Sequence, residues 1–303
     1  MKRILQALWN KWYDLRQWVR QQVMFCLDML YVQRHKPPQV LSIADTLEKV
    51  AREQLSVSRF GDGEIKLVAG KDISFQRSDD RLQKKLTQVL SSNDEGFLVC
   101  LPDVFADRSY LIDGASLHWK KHLAQYRREW YAHILPDKAY GNSFLSRCYY
   151  ILRDKSQCGE YFRMMRRIWD GQDILLVEGE KSRLGVGNDL FDNARSVCRI
   201  LGPVENAWTR YDALFEAAKR YGRNKLILLA LGPAATVMSY ALFQAGYHAV
   251  DLGHADIEYE WFLAGATERE PVKNKYVNEA GAGADVGALE DETYQRQILE
   301  TIL

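Results

Sequence analysis

The sequence predicts an α/β domain built on a mostly parallel sheet with helices on both faces, preceded by an amphipathic N-terminal helix. Two observations carry the prediction. Short apolar runs recur near residues 55–60, 97–102, 173–178, 225–231 and 248–252, with a weaker one at 138–145 and another near 199–206. Helical patterns lie between them, and the runs are apolar throughout, as befits strands buried on both faces.

The elements follow in order. Residues 1–31 read as one long helix in which Leu5, Leu8, Trp12, Leu15, Val19, Val23, Cys26 and Leu30 recur at steps of three and four. Its other faces carry Lys11, Arg16 and Arg20, with Trp9 and Trp18 beside them. Two readings stay open: a helix packed on the main domain or on a second copy, and a basic aromatic helix lying on a membrane surface. Pro37 and Pro38 close this segment, so residues 1–38 separate from a domain at 39–278. Ser42-Ile43-Ala44-Asp45 forms a capping box opening a helix to about residue 54. Further helices carry Leu82, Leu86, Val89 and Leu90, then Trp119, Leu123, Tyr126 and Trp130, then Tyr161, Phe162, Met165 and Trp169. Residues 279–290 are rich in Gly and Ala, and are expected to form a mobile tail segment or lid within an acidic tail at 279–303.

Composition narrows the classes. The chain has 303 residues, 47% hydrophobic and 27% charged, enough for a folded domain with a preformed pocket. A net charge of +1 gives no reason to expect a nucleic-acid partner. The charge is uneven: residues 1–36 hold seven Lys/Arg against two Asp, and residues 277–303 hold one Arg against six Asp/Glu. Five scattered cysteines with no CxxC pair indicate neither a zinc knuckle nor a redox motif. No apolar stretch approaches the ~20 residues of a membrane span, and no signal-peptide pattern opens the chain. The expected location is therefore cytoplasmic, peripheral to the inner face of the membrane if the first helix serves that end.

In open parallel sheets, ligands bind beyond the carboxyl ends of the strands. Polar and charged residues gather there: Gly61-Asp62-Gly63-Glu64, Asp103, Asn142-Ser143, Gly179 to Arg183, Gly185-Val186-Gly187-Asn188, Gly232-Pro233, and Gly253 to Glu260. Asp62 and Glu64 stand two apart, so in an extended stretch both carboxylates point one way and can approach one hard divalent ion. A bare DxE is also a common surface turn. Gly185 to Asn188 is expected to open a helix carrying Leu190, Phe191 and Ala194, offering backbone N–H groups to phosphate or serving simply as a tight turn. Gly232-Pro233 opens another helix, with the same two readings. Asp256, Glu258 and Glu260 follow His254 closely; they are candidates for a general base, or for a salt-bridged rim.

Several blocks resemble a known family. Ser58-Arg59-Phe60-Gly61-Asp62-Gly63-Glu64 is similar to the RFGDGE signature of bacterial glycosyltransferases of the GT-D type. Further agreement comes from Gly141 to Phe144 with Arg147, from Val177-Glu178-Gly179 with Ser182 to Phe191, from Leu231-Gly232-Pro233, and from Asp251 to His254 with Glu258 to Trp261. The resemblance covers roughly residues 42–278, leaving the first helix and the tail outside. It implies a Rossmann-like α/β fold and a DxE metal motif formed by Asp62 and Glu64, holding Mn²⁺ or Mg²⁺. It further implies transfer of a hexose from a nucleotide diphosphate sugar, typically a UDP-sugar, to a glycan or glycoconjugate acceptor, in building bacterial surface and protein-linked glycans. For such a donor, the expected binding set is Arg59, Asn142, Arg147, Arg183, Gly185, Asn188, Gly232 and His254, with Asp256 and Glu258 as catalytic carboxylates; arginines offer a bidentate fork to phosphate. A second reading is a non-catalytic nucleotide-sugar-binding or scaffolding subunit that docks through its first helix. A third, a metal-dependent phosphohydrolase, calls for more His and Asp ligands than the sequence displays.

Overall fold

The computed structural model describes residues 2–303 except Asn278, Ala282, Ala284 and Asp285, and leaves aside the side chains of residues 2–5, 7 and 8. The stripe positions Leu5 and Leu8 and part of the Gly/Ala-rich stretch therefore lie outside the described residues. The chain runs α1 (Lys2–Val32), β1 (Gln39–Val40), α2 (Ile43–Glu53), β2 (Ser56–Arg59), α3 (Asp62–Val68), α4 (Asp80–Leu90) and β3 (Phe97–Leu101). It continues through α5 (Asp113–His133), β4 (Ala139–Asn142), α6 (Cys158–Arg166), β5 (Asp173–Gly179), β6 (Ser196–Gly202), α7 (Tyr211–Tyr221) and β7 (Leu226–Ala230). Last come α8 (Pro233–Gln244), β8 (Ala249–Asp251), α9 (Ala255–Ala264), α10 (Glu292–Gln297) and β9 (Ile298–Thr301).

Among the described residues nine strands form one sheet in the order β1-β4-β3-β2-β8-β7-β5-β6-β9. Every pairing is parallel. The seven apolar runs of the sequence correspond to β2 through β8, and all five residues of β3 are buried. A fully buried Leu or Val side chain contributes about 1.5–3 kcal/mol, which is why these runs take the middle of the sheet. Helix α8 is buried along nearly its whole length, wedged against β2 and β8. Ser42 caps α2, its Oγ accepting from the Asp45 N–H at 3.0 Å.

Three expectations meet a different structure. Residues 180–195 form a succession of turns with no helix. Arg183, Gly185 and Gly187 all sit at positive φ, which an α-helix does not admit. The Asp62-Gly63-Glu64 stretch is the first turn of α3 and is not extended. The C-terminal stretch ends in α10 and β9, and β9 adds an edge strand beside β6. Arg199 of β6 joins this edge to the interior: its Nε donates to the Gln297 Oε1 at 2.7 Å, and its Nη1 pairs with Glu178, which is fully buried.

Candidate active site

Because the strands are parallel, their carboxyl ends share one rim, and a cavity of about 1120 Å³ opens there. Arg59, Asp62, Glu64, Arg147, Gly232, His254 and Asp256 all line it. Asn142, Arg183, Gly185, Asn188 and Glu258 do not.

The acidic wall follows β2. Glu64 stands at the third position of α3 and accepts from the Gly61 N–H at 2.7 Å, satisfying a donor the helix cannot. Two residues apart on a helix, Asp62 and Glu64 diverge, so they reach the cavity from different angles. Asp62 Oδ2 accepts from Lys66 Nζ at 2.5 Å, one turn on, and lies 3.4 Å from His118 Nε2 of α5. Burial works to raise the Asp62 pKa, but hydrogen bonds from His118 and Lys66 hold it well below the usual carboxylate range. Burial pushes Glu64 up to about 7, against the N–H groups that favour its charge.

Basic residues line the same cavity. Arg59 is held by Asp251: Nε donates to the backbone carbonyl at 2.9 Å and Nη2 to Oδ1 at 2.9 Å. Gly253 follows at φ +48°, and a Cβ there would stand 1.7 Å from Arg59 Nη2, so only glycine lets the guanidinium lie across this backbone. Arg147 pairs with Glu279 through both Nη atoms. Glu279 also lies 3.7 Å from His254 Nε2 and 3.4 Å from Arg269 Nε. Burial alone would raise Glu279, yet Arg147, His254 and Arg269 bring it down to about 2. His254 is pushed down to about 3, by burial first and then by Arg147. At neutral pH its imidazole is uncharged, able to donate from one nitrogen and accept at the other.

The carboxylates after His254 divide by helix face. Asp256 and Glu260, one turn apart on α9, converge on Lys275, whose Nζ reaches each at 2.7 Å. Asp256 also accepts from the Gly185 N–H and from Asn188 Nδ2, both at 2.8 Å. This network clamps the turns after β5 against α9. Glu258 faces elsewhere, accepting from the Tyr149 and Tyr150 N–H groups at 3.0 and 2.8 Å. It is fully buried, and burial raises its pKa.

The remaining expected residues hold backbone. Asn142 Oδ1 accepts from the Phe144 N–H at 3.0 Å, turning the chain out of β4. Arg183 donates to the carbonyls of Asn274 and Gly287 at 2.8 and 2.7 Å, tying down the C-terminal segment. Lys66, His118, Arg269, Lys275 and Glu279 carry site contacts that sequence reasoning passed over. Lys66 had a signal, its four-residue spacing from Asp62 on what proved a helix; the others come together only through the fold.

Two carboxylates from one helical turn offer hard oxygen ligands, and among the described residues no group of three or more His, Cys, Asp or Glu is placed to hold a metal. Since the two diverge and Lys66 holds Asp62 Oδ2, any divalent ion there would take its remaining ligands from a phosphate and water, as Mg²⁺ does, and would not be caged by protein alone.

Comparison with known proteins bears on the fold and the family. The family model described as "Glycosyltransferase GT-D fold" matches residues 57–280. The chain is 40% identical over 266 residues to "Glycosyltransferase GlyD" of Streptococcus pneumoniae serotype 4 (strain ATCC BAA-334 / TIGR4), covering 88% of this chain and 33% of that protein. It is 40% identical over 265 residues to "Probable glycosyl transferase Gly" of Streptococcus gordonii, covering 87% and 39%. The chain thus spans little more than a third of the length of these relatives. A solved structure reported as "The highly conserved domain of unknown function 1792 has a distinct glycosyltransferase fold" superposes with a TM-score of 0.86 at 38% identity, covering 91% of this chain and 99% of that one. Another, "A New Glycosyltransferase (DUF1792) from Streptococcus sanguinis", gives 0.84 at 39% identity, covering 88% and 100%. The chain belongs to the family of glycosyltransferases with the GT-D fold.

Proposed function

We propose that the protein transfers a hexose from a nucleotide diphosphate sugar, a UDP-sugar by preference, to a glycan or glycoconjugate acceptor, with a divalent metal at Asp62 and Glu64. One observation carries the reading: one large cavity is lined both by an acidic pair, Asp62 and Glu64, and by two arginines, Arg59 and Arg147. A metal–diphosphate donor needs both.

In this reading Asp62 and Glu64 hold Mn²⁺ or Mg²⁺, and such an ion, when bound, supplies positive charge that stabilises the departing diphosphate. Arg147 and Arg59 orient the diphosphate, each with two donors already held by a carboxylate residue, Glu279 on Arg147 and Asp251 on Arg59. His254, neutral and beside Arg147, donates to a phosphate or sugar oxygen. The Asp256–Lys275 network keeps the loop after β5 in register with these groups. Asp256 is the α9 carboxylate that lines the cavity, and in this reading it meets an acceptor hydroxyl once one of its network contacts gives way.

Thermal-shift screening of nucleotide sugars with and without Mn²⁺ tests the reading, since a ligand of the native state raises its stability by an amount set by concentration over Kd. A UDP-sugar should raise the melting temperature with Mn²⁺ present and much less with chelator. Equal shifts under both conditions would remove the metal, and no shift with any nucleotide sugar would remove the donor.

A further inference from the structure

Helix α1 is 31 residues long, about 46 Å at 1.5 Å per residue. Its C-terminal part rests on α5. Asp28 accepts from Arg127 Nε at 2.6 Å and from Nη2 at 3.1 Å, Tyr31 meets the Tyr131 ring edge-on at 5.7 Å, and Lys120 Nζ stands 4.7 Å from the Phe25 ring centre. These groups define the face turned to the domain.

At about 100° per residue, Trp12, Leu15, Val19, Val23 and Leu30 align on the face opposite, with Trp9 and Trp18 at its margins. All are exposed, from 46% at Val19 to 61% at Trp9. The apolar stripe is therefore left uncovered by its own chain. Its borders decide what covers it. Lys11, Arg16 and Arg20 flank the stripe, while Asp14 and Asp28 lie on the domain-facing side. A seam between two copies of this helix would bring like charges together with no acid at the flanking positions to offset them. An anionic lipid surface supplies the missing charge, and Trp at the edge of an apolar face suits the headgroup level. Among the described residues no helix is long and apolar enough to cross a membrane.

We infer that α1 lies flat on an anionic lipid bilayer, its Trp12–Leu30 stripe immersed and Lys11, Arg16 and Arg20 at the headgroups, docking the domain to that surface. The inference is independent of the donor and metal.

Flotation of the full chain with phosphatidylcholine vesicles, with or without phosphatidylglycerol, tests it. The chain should float with anionic vesicles at low salt, and stay down with neutral ones or at high salt. Val19→Glu should abolish flotation. The triple change Lys11→Gln, Arg16→Gln, Arg20→Gln should weaken it roughly a hundredfold, at about fivefold per cation. Both sets of positions are exposed, so unchanged melting curves will show that the variants fold. Failure to float with anionic vesicles overturns the inference, as does undiminished flotation of Val19→Glu. A dimer by light scattering that Val19→Glu dissociates, without lipid binding, would assign the stripe to a second copy.

Discussion

Glu279 reaches from the segment after α9 to the guanidinium of Arg147, accepting from both Nη atoms, one at 3.2 Å. A carboxylate thus occupies the arginine that the proposed mechanism gives to the diphosphate. The two anions compete. Glu279→Gln should tighten donor binding by roughly tenfold, about 1.4 kcal/mol, read by calorimetric titration. Weaker binding would mean that Glu279 positions Arg147 for the donor.

The same pair fixes a pH dependence. The folded-state pKa of Glu279 is depressed, from 4.5 to about 2. Its stabilisation is therefore complete above pH 4.5 and lost as pH falls toward 2. Wild type should exceed Glu279→Gln by about 2 kcal/mol at neutral pH in urea unfolding, with the gap closing through that acid window. A gap that persists at its lower end would contradict the pairing.

Glu64 serves α3 as well as the cavity. Glutamine keeps an acceptor for the Gly61 N–H but loses the charge. Glu64→Gln and Asp62→Asn should each remove the Mn²⁺-dependent part of donor binding by more than tenfold, while the ligand-free melting temperature stays nearly level. Retention of that part in both variants would move the metal elsewhere.

Lys275 is buried with Asp256 and pairs with Glu260 as well. Asp256→Ala strips one of its two counter-charges, unties the Gly185 N–H and leaves Asn188 held by Glu260 alone. A loss of about 3 kcal/mol in unfolding free energy is expected. Asp256→Asn tests chemistry more cleanly, and a fall in kcat beyond what stability explains would support a reacting role.

Gly253→Ala would drive a methyl group into Arg59 while straining a positive φ. Donor KM should rise about tenfold or more, with Arg59→Ala giving a similar loss that Gly253→Ala does not deepen. Additive losses would separate the two.

Much of this was legible before folding, for particular reasons. The apolar runs announced β2 to β8 because strands buried on both faces need no alternation. The spacing of Asp62 and Glu64 suits an extended stretch, but α3 begins at Asp62 directly after β2, and Glu64 completes its cap by accepting from the Gly61 N–H. The turns after β5 resisted reading because two glycines and Arg183 take left-handed conformations, and the side chains that bond to this stretch, Glu178, Asp256 and Glu260, belong to other elements. Glu279, His118 and Lys275 had no local signature at all. Their roles arise from contacts 10 to 132 residues away in sequence. β9 was hidden for a related reason: Ile298–Thr301 alternates partly buried and exposed positions as an edge strand, at the end of a segment whose composition suggested a tail.

β9 is synthesised after every other strand of the sheet, yet it pairs with β6 about 100 residues upstream, Arg199 against Ile298. Until it arrives, one flank of β6 offers unpaired N–H and C=O groups to any passing strand. A nascent chain long enough to fold its cavity still carries an adhesive border. Ribosome pausing or premature termination before Ile298 would release molecules with a nearly complete site and a strong tendency to clump.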